Sequence, residues 1–355
     1  MSIVNFGKTV TLKQAVSLIL ASPENRYCLF GEPGIGKSSA TKMLSAALPD
    51  FDVAYCDMAS MDLGDGMMPW IDKETNTTRY APNARLKLHT GKPVILMFDE
   101  WGKAAIPVQN MFHPTLEASN PRLGDIPIHP ESRIFLTSNL STDGVGDVLK
   151  AHTRNRIIPI HVRKPTAEEW LEWAVNNNIH PIIMAWVHQF PHCMASYLDE
   201  GQESNHLIFQ PKRMQDAFVS PRSLERASNV IWKRDQLDTE TLLAALIGAV
   251  GEAAARDIQA FIDYQDQLPK WEDIITNPDT AKIPDGAGAC SVMVFGAITK
   301  VDKSNMAKFM EYIGRFEPEW QAAFAINVAR NPQKQSVAFS SKAFADWVQK
   351  NEDLL

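Results

Sequence analysis

The chain has 355 residues, of which 45% are hydrophobic and 22% charged, and its formal net charge is −7. This is ordinary globular material, long enough for two or three domains because single hydrophobic cores stop growing beyond about 250–300 residues. The acidic balance argues against a protein whose main task is coating DNA or RNA, since that work draws on clustered Lys and Arg.

The first informative segment is the apolar run Tyr27-Cys-Leu-Phe30, which reads as a short strand. Directly after it stands Gly31-Glu-Pro-Gly-Ile-Gly-Lys37-Ser38, followed by a helical pattern over residues 39–48. Strand, glycine-rich turn and helix in this order form the context of a phosphate-binding loop with the pattern G-x-x-x-x-G-K-[ST]. Gly31, Pro33, Gly34, Ile35 and Gly36 would let backbone N–H groups close around phosphate oxygens, and Ser39 would open the helix whose N-terminus faces the anion. Lys37 would reach the β- and γ-phosphates, and the Ser38 hydroxyl would be a ligand of Mg²⁺. The expected ligand is a nucleoside triphosphate.

Four more apolar runs follow: Asp52-Val-Ala-Tyr-Cys56, Pro93-Val-Ile-Leu-Met-Phe98, Ser132-Arg-Ile-Phe-Leu-Thr137 and Ile157-Ile-Pro-Ile-His-Val162. Continuous apolar runs separated by helical or loop segments are how a buried parallel sheet appears in sequence. The third strand ends in Asp99-Glu100, at the edge where open α/β sheets bind ligands. Asp99 is positioned to hold Mg²⁺ through its water shell, and Glu100 to polarise an attacking water. The bland alternative is that the two acids merely start a helix. Asn139, after the fourth strand, can hydrogen-bond the γ-phosphate or that water, or it can simply open the turn at residues 139–144. Met67-Met-Pro-Trp70 is an apolar cluster in a turn region. Such a patch can grip a polypeptide if exposed, but packing against the domain is the commoner outcome and the one expected here, as it is for Trp101.

After Lys164-Pro165 the spacing becomes helical, as in residues 167–175 and 239–247, which marks a domain boundary. A second break lies near Pro269, and residues 277–288 read as an irregular connector. Beyond it, residues 290–299, 306–316 and 319–329 read as amphipathic helices. The four cysteines, Cys28, Cys56, Cys193 and Cys290, lie far apart with no C-x-x-C pair, so neither a zinc site nor a disulfide framework is expected, and a reducing compartment fits. With no signal-peptide pattern and no apolar run near the roughly 20 residues that span a bilayer, the expected location is the cytoplasm, without membrane contact.

The ordered motifs resemble the AAA+ ATPases, P-loop enzymes with a helical lid that usually act as rings. Residues 31–38 match the Walker A motif of that superfamily, residues 94–100 its Walker B motif, and Thr137-Ser-Asn139 its sensor 1. Ala151-His-Thr-Arg154-Asn-Arg156-Ile157 falls where the superfamily places the arginine that completes a neighbouring subunit's site. Ser220-Pro-Arg222 resembles its sensor 2. Arg156 matches the Arg of the usual Arg-Phe pair, but Ile157 replaces Phe, so Arg154 competes for the role. A guanidinium suits these positions because it is always charged and forks onto phosphate oxygens.

Finer likenesses, in residues 62–66, 72–82 and 120–130 and in the Ser-Pro-Arg form of sensor 2, point to the MoxR-like branch of bacterial or phage type. The resemblance covers residues 10–265. It implies an αβα nucleotide-binding domain over 1–164 with a parallel sheet, a helical lid over 165–265 and a helical extension over 266–355. It also implies ATP and Mg²⁺ as ligands, a homo-oligomer in the form of a hexameric ring, and a partner carrying a von Willebrand factor A domain, which the ATPase remodels or activates. Two alternatives remain. One is a DNA-directed AAA+ ATPase of the helicase-loader or replication type, for which Lys212, Arg213, Arg222, Arg226, Lys233 and Arg234 supply a local basic stretch. The other is an ATP-binding assembly switch with little turnover.

Overall fold

The computed structural model describes residues 8–140, 149 and 151–351. The chain divides into two compact units, one comprising residues 1–164 together with Pro211–Arg213, the other residues 165–210 and 214–355.

In the first unit, helix α1 (Leu12–Ala21) begins at Thr11, whose hydroxyl accepts from the Gln14 N–H while the Gln14 side chain accepts from the Thr11 N–H. This capping box satisfies two of the amides that a helix start leaves unpaired. Strand β1 (Tyr27–Phe30), the turn Lys37–Ser39 and helix α2 (Ala40–Ala47) come next, then β2 (Asp52–Asp57) and the short helix α3 (Leu63–Gly66). A hairpin of β3 (Met67–Asp72) and β4 (Thr77–Pro82) precedes β5 (Val94–Asp99) and α4 (Ile106–Phe112). The small hairpin β6 (Arg122–Leu123) with β7 (Ile126–Pro127) leads to β8 (Arg133–Ser138), α5 (Ala151–Arg154) and β9 (Ile158–His161).

Five strands form one parallel sheet in the order β2-β5-β8-β1-β9. Side chains alternate across a strand, so the sheet builds two cores. Tyr27, Leu29, Ile95, Met97 and Phe135 face one way and pack with Ala15, Val16 and Ile19 of α1 and Ala40 and Leu44 of α2. Cys28, Val94, Leu96, Phe98, Ile134 and Leu136 face the other way, onto Trp101 and onto Val108, Met111 and Phe112 of α4. The unit is therefore an αβα sandwich with a glycine-rich loop between the interior strand β1 and the following helix, the architecture of the P-loop NTPases. The apolar runs suggest five fully buried strands, whereas β2 and β9 are half exposed, because they are the two edge strands of the sheet.

One finer expectation fails. Met67 is half buried against the core, but Met68, Trp70 and Ile71 are 59%, 49% and 67% exposed, so the apolar cluster is not packed away as expected. Its hairpin is anchored from the β4 side. The Tyr80 N–H donates to Asp125 Oδ2 (2.7 Å), and the Asp125 N–H returns a bond to the Tyr80 carbonyl (3.1 Å). Gly124 sits between them at φ +57° with a Cβ position only 2.4 Å from the Tyr80 carbonyl oxygen, so only glycine fits. Trp101 is wholly buried, as expected, with its ring edge-on to Phe98 at 5.2 Å.

The second unit is helical: α6 (Ala167–Ala174), α7 (Pro181–Gln189), α8 (Pro221–Ile231), α9 (Thr239–Val250), α10 (Glu252–Asp266), α11 (Trp271–Thr276), α12 (Ala287–Lys300), α13 (Met306–Ile313), α14 (Pro318–Arg330), α15 (Gln335–Ser340) and α16 (Lys342–Lys350). A single apolar core runs from Ala167 to Phe344, so the helices expected as lid and those expected as extension share one body. At its centre lie α7 and α12, on which residues 181–187 and 290–298 are all buried. The amphipathic reading of residues 290–299 is thus corrected: a helix surrounded by other helices is apolar on every face. Helix α8 starts at Ser220, whose hydroxyl accepts from the Ser223 N–H (3.2 Å) and whose own N–H is bound by the Ser223 hydroxyl (2.7 Å). Ser220→Ala is expected to lower the stability of this unit by about 1 kcal/mol in urea unfolding followed by circular dichroism, the usual cost of a lost cap. An unchanged midpoint would show that the cap contributes nothing.

All four cysteines are buried and none is in a disulfide, and burial pushes the Cys56 thiol up to about 12, far from a reactive thiolate. No helix among the described residues is long and apolar enough to cross a membrane.

Candidate functional site

The loop after β1 owes its course to glycine. Gly34 and Gly36 have φ of +76° and +97°, a region side chains avoid. A Cβ on Gly31 would lie 2.6 Å from both the Val162 carbonyl oxygen and Ile35 Cδ1. Ile35 itself is buried in the sheet's core and pins the loop to the domain, while Pro33 is half exposed. The loop thus wraps back over the end of β1, and Gly36 leads directly into the turn Lys37–Ser39. Ser39, at the N-terminal boundary of α2, is exposed and makes no side-chain cap bond.

Lys37 is buried, an unusual place for an ammonium unless it is well surrounded by oxygens. It donates to the carbonyls of Gly31 (2.7 Å) and Glu32 (2.9 Å) and to Asn139 Oδ1 (3.0 Å). Asn139, also buried, donates from its amide nitrogen to Glu100 Oε1 (3.3 Å). One amide therefore joins the loop lysine to the acid at the end of β5. Whatever it does for the turn after it, of which residues 141–144 lie outside the described residues, its side chain is committed to this network.

Glu100 stands at φ +53°, left-handed backbone that a non-glycine residue rarely adopts, directly before the turn Trp101–Lys103. Its carboxylate makes no cap bond with that turn. The side chain instead turns toward Asn139 and toward Lys103, whose ammonium donates to Oε2 (2.7 Å). Glu100 thus opens the turn with its backbone, its carbonyl accepting from the Lys103 N–H (2.9 Å), while its carboxylate is engaged with Asn139 and Lys103.

Asp99 ends β5, with a carboxylate that gathers three hydroxyls. Ser38 Oγ donates to Oδ2 at 3.1 Å, Tyr55 Oη donates to the same oxygen at 2.7 Å, and Thr137 Oγ1 donates to Oδ1. Thr137 Oγ1 also accepts from the Glu100 N–H (3.2 Å), linking the two acids through β8. Desolvation, reinforced by the hydrogen bond to Asp99 and by the charges of Asp99, Asp57 and Glu100, raises the Tyr55 phenol well above its ordinary range, so it keeps its proton.

Ser38 and Asp99 suit a small hard cation by the chemistry of their oxygens, which is the donor type that Mg²⁺ prefers. Among the described residues no group of three His, Cys, Asp or Glu side chains could hold a metal by itself. A cation here would complete its shell with water and phosphate, as Mg²⁺ does in phosphoryl-transfer sites. Loop amides, a buried ammonium, an oxygen pair for a cation and a carboxylate steadied by an amide are thus collected at one edge of the sheet. That set can bind a polyphosphate and take a proton from water beside it.

Sequence reasoning missed Tyr55, Lys103 and Glu117. Tyr55 gave a usable signal, a polar-tipped side chain within β2 two residues before the strand's end, but its partner follows from which strand lies beside it. Glu117 Oε1 accepts from Arg156 Nε (2.5 Å), and Arg156 Nη1 also donates to the His152 carbonyl (3.0 Å). Arg154 is exposed and makes no ion pair among the described residues. Arg222 belongs to the second unit, exposed in the first turn of α8.

No family model matches the chain, and no curated protein matches it. Among solved structures, NtrX from Brucella abortus in complex with ADP aligns with 99% of this chain and 70% of its own, at 13% identity and a TM-score of 0.40. NtrX in complex with ATP aligns with 97% of this chain and 67% of its own, at 13% identity and a TM-score of 0.37. Likeness at that distance adds nothing to what the sheet and the loop show by themselves.

Proposed function

We propose that this chain is an ATP-hydrolysing AAA+ protein of the MoxR-like branch that remodels or activates a protein partner. The observation that carries the reading is the continuous network from Lys37 through Asn139 to Glu100, set beside the Ser38–Asp99 pair. A structural glycine turn needs neither a buried ammonium nor an amide that ties it to an acid of another strand end.

In this reading the amides of residues 31–38 and the Lys37 ammonium bind the phosphates, while Ser38 and Asp99 hold Mg²⁺. The cation's contribution is neutralisation of phosphate charge. Glu100 takes the proton of the attacking water, and Asn139 keeps the carboxylate and the ammonium at a fixed separation. Arg222 senses the nucleotide from the helical unit, and Arg156 or Arg154 of an adjacent copy completes the site in a ring. The in-chain pair of Arg156 with Glu117 is half exposed, so exchanging it for a phosphate in trans costs little.

The test is ATP turnover per chain measured against protein concentration. Turnover rises as the chain assembles, and Arg156→Ala lowers it about a hundredfold at saturating concentration, the scale of one lost electrostatic donor. Turnover independent of both concentration and the two arginines would remove the ring. The DNA-directed alternative is weakened by Arg234, whose charge is taken up by Asp266 at 2.7 Å. Stimulation of turnover by DNA with a steep salt dependence would restore it.

A further inference from the structure

We infer that Tyr55 is a positioning residue for the cation, holding the Asp99 carboxylate in the orientation in which it meets Mg²⁺; the inference rests on the nucleotide-site reading above. In β2, Tyr55 is the register partner of Met97, and Asp57 that of Asp99. Alternation puts Tyr55, Met97 and Asp99 on one face, with Asp99 diagonally ahead of the tyrosine. A phenol is long enough to cover that step, and its hydroxyl ends 2.7 Å from Asp99 Oδ2.

The bond is not explained by folding needs. Tyr55 lies on an edge strand and is 54% exposed, so packing left its side chain room to point into solvent. Instead it meets an oxygen that Ser38 already uses. A carboxylate has about four lone-pair sites. Tyr55 and Ser38 take two on Oδ2 and Thr137 takes one on Oδ1. With donors on both oxygens from three separate elements, β2, the turn after the loop and β8, the carboxylate is prevented from rotating about its final bond. A ligand fixed before the cation arrives loses less freedom on binding, which is why partners of metal ligands matter nearly as much as the ligands. Tyr55 itself need not touch the cation.

The experiment compares full-length wild type and Tyr55→Phe, with Tyr55→Leu as a second hydroxyl-free side chain at the same exposed position. Each protein is saturated with ADP and titrated with Mn²⁺, and free Mn²⁺ is read by electron paramagnetic resonance; ADP affinity in EDTA is measured alongside. Both variants are expected to bind Mn²⁺ about tenfold more weakly in the ADP complex, the usual loss when such a partner is removed. Their ADP affinity without metal is expected to equal that of wild type. Unchanged Mn²⁺ affinity in a folded variant overturns the inference and leaves the nucleotide site intact. An equal loss of ADP affinity in EDTA overturns it too, since the tyrosine would then merely support the loop. Failure of the wild type itself to bind ADP overturns the nucleotide reading, and this inference with it.

Discussion

Glu100→Gln is expected to lower ATP turnover by about three orders of magnitude, the middle of the range for a lost general base, while nucleotide still binds. The substitution keeps the shape of the side chain and an oxygen that can accept from Asn139, at present 3.3 Å away. It removes the charge that draws a proton from water. Its one structural loss, the ion pair with Lys103 three residues on, lies at the surface and is worth little. The fold should therefore survive, and the variant should trap the triphosphate. Phosphate release in steady state and binding of a fluorescent ATP analogue measure the two halves. Turnover within tenfold of wild type would show that another group accepts the proton.

Lys37→Ala should cost about a thousandfold in kcat/KM. The ammonium is buried and meets three oxygens, two of them carbonyls of the loop it serves. An ammonium has three N–H donors, so to bind phosphate Lys37 exchanges two of these oxygens for phosphate oxygens. Removing it takes away those two charge-assisted bonds, each worth about 2 kcal/mol, and about 4 kcal/mol corresponds to roughly three decades. In the nucleotide-free protein it leaves the Gly31 and Glu32 carbonyls and Asn139 Oδ1 without that donor, so the loop loses its internal tie. Here the nucleotide affinity falls together with the rate, which separates this variant from Glu100→Gln. A Lys37→Ala protein that binds ATP as tightly as wild type would mean that the phosphates sit elsewhere.

Part of this site could be read along the chain because its parts are local. A glycine-rich turn between an apolar strand and a helix needs eight successive residues, and the reason for each glycine is backbone geometry, as at Gly36 with its positive φ. The sheet's buried strands are legible for a similar reason. Continuous apolar runs such as Val94–Phe98 are intelligible only with both faces covered, and both are. The hairpin at Met67–Pro82 was less legible. Apolar residues normally hide, and nothing in Met68, Trp70 and Ile71 says that this pair of strands projects from the domain instead of lying on it.

The sequence by itself determined the loop, the run of parallel strands, the acids at the end of β5 and the change to helices after Lys164, because each is written in the spacing of neighbouring residues. Only the tertiary structure decided who meets whom. Lys37 and Asn139 are 102 residues apart and meet because β1 lies beside β8, while Tyr55 finds Asp99 because β2 pairs with β5 in a register that aligns Asp57 with Asp99. Strand order is set by how two layers of helices cover a twisted sheet. That is a property of the whole packed core, and no window of the chain contains it. The same holds for α12, whose burial on every face depends on helices that precede it by a hundred residues and follow it by twenty, so local periodicity could not distinguish the centre of a helical body from its surface.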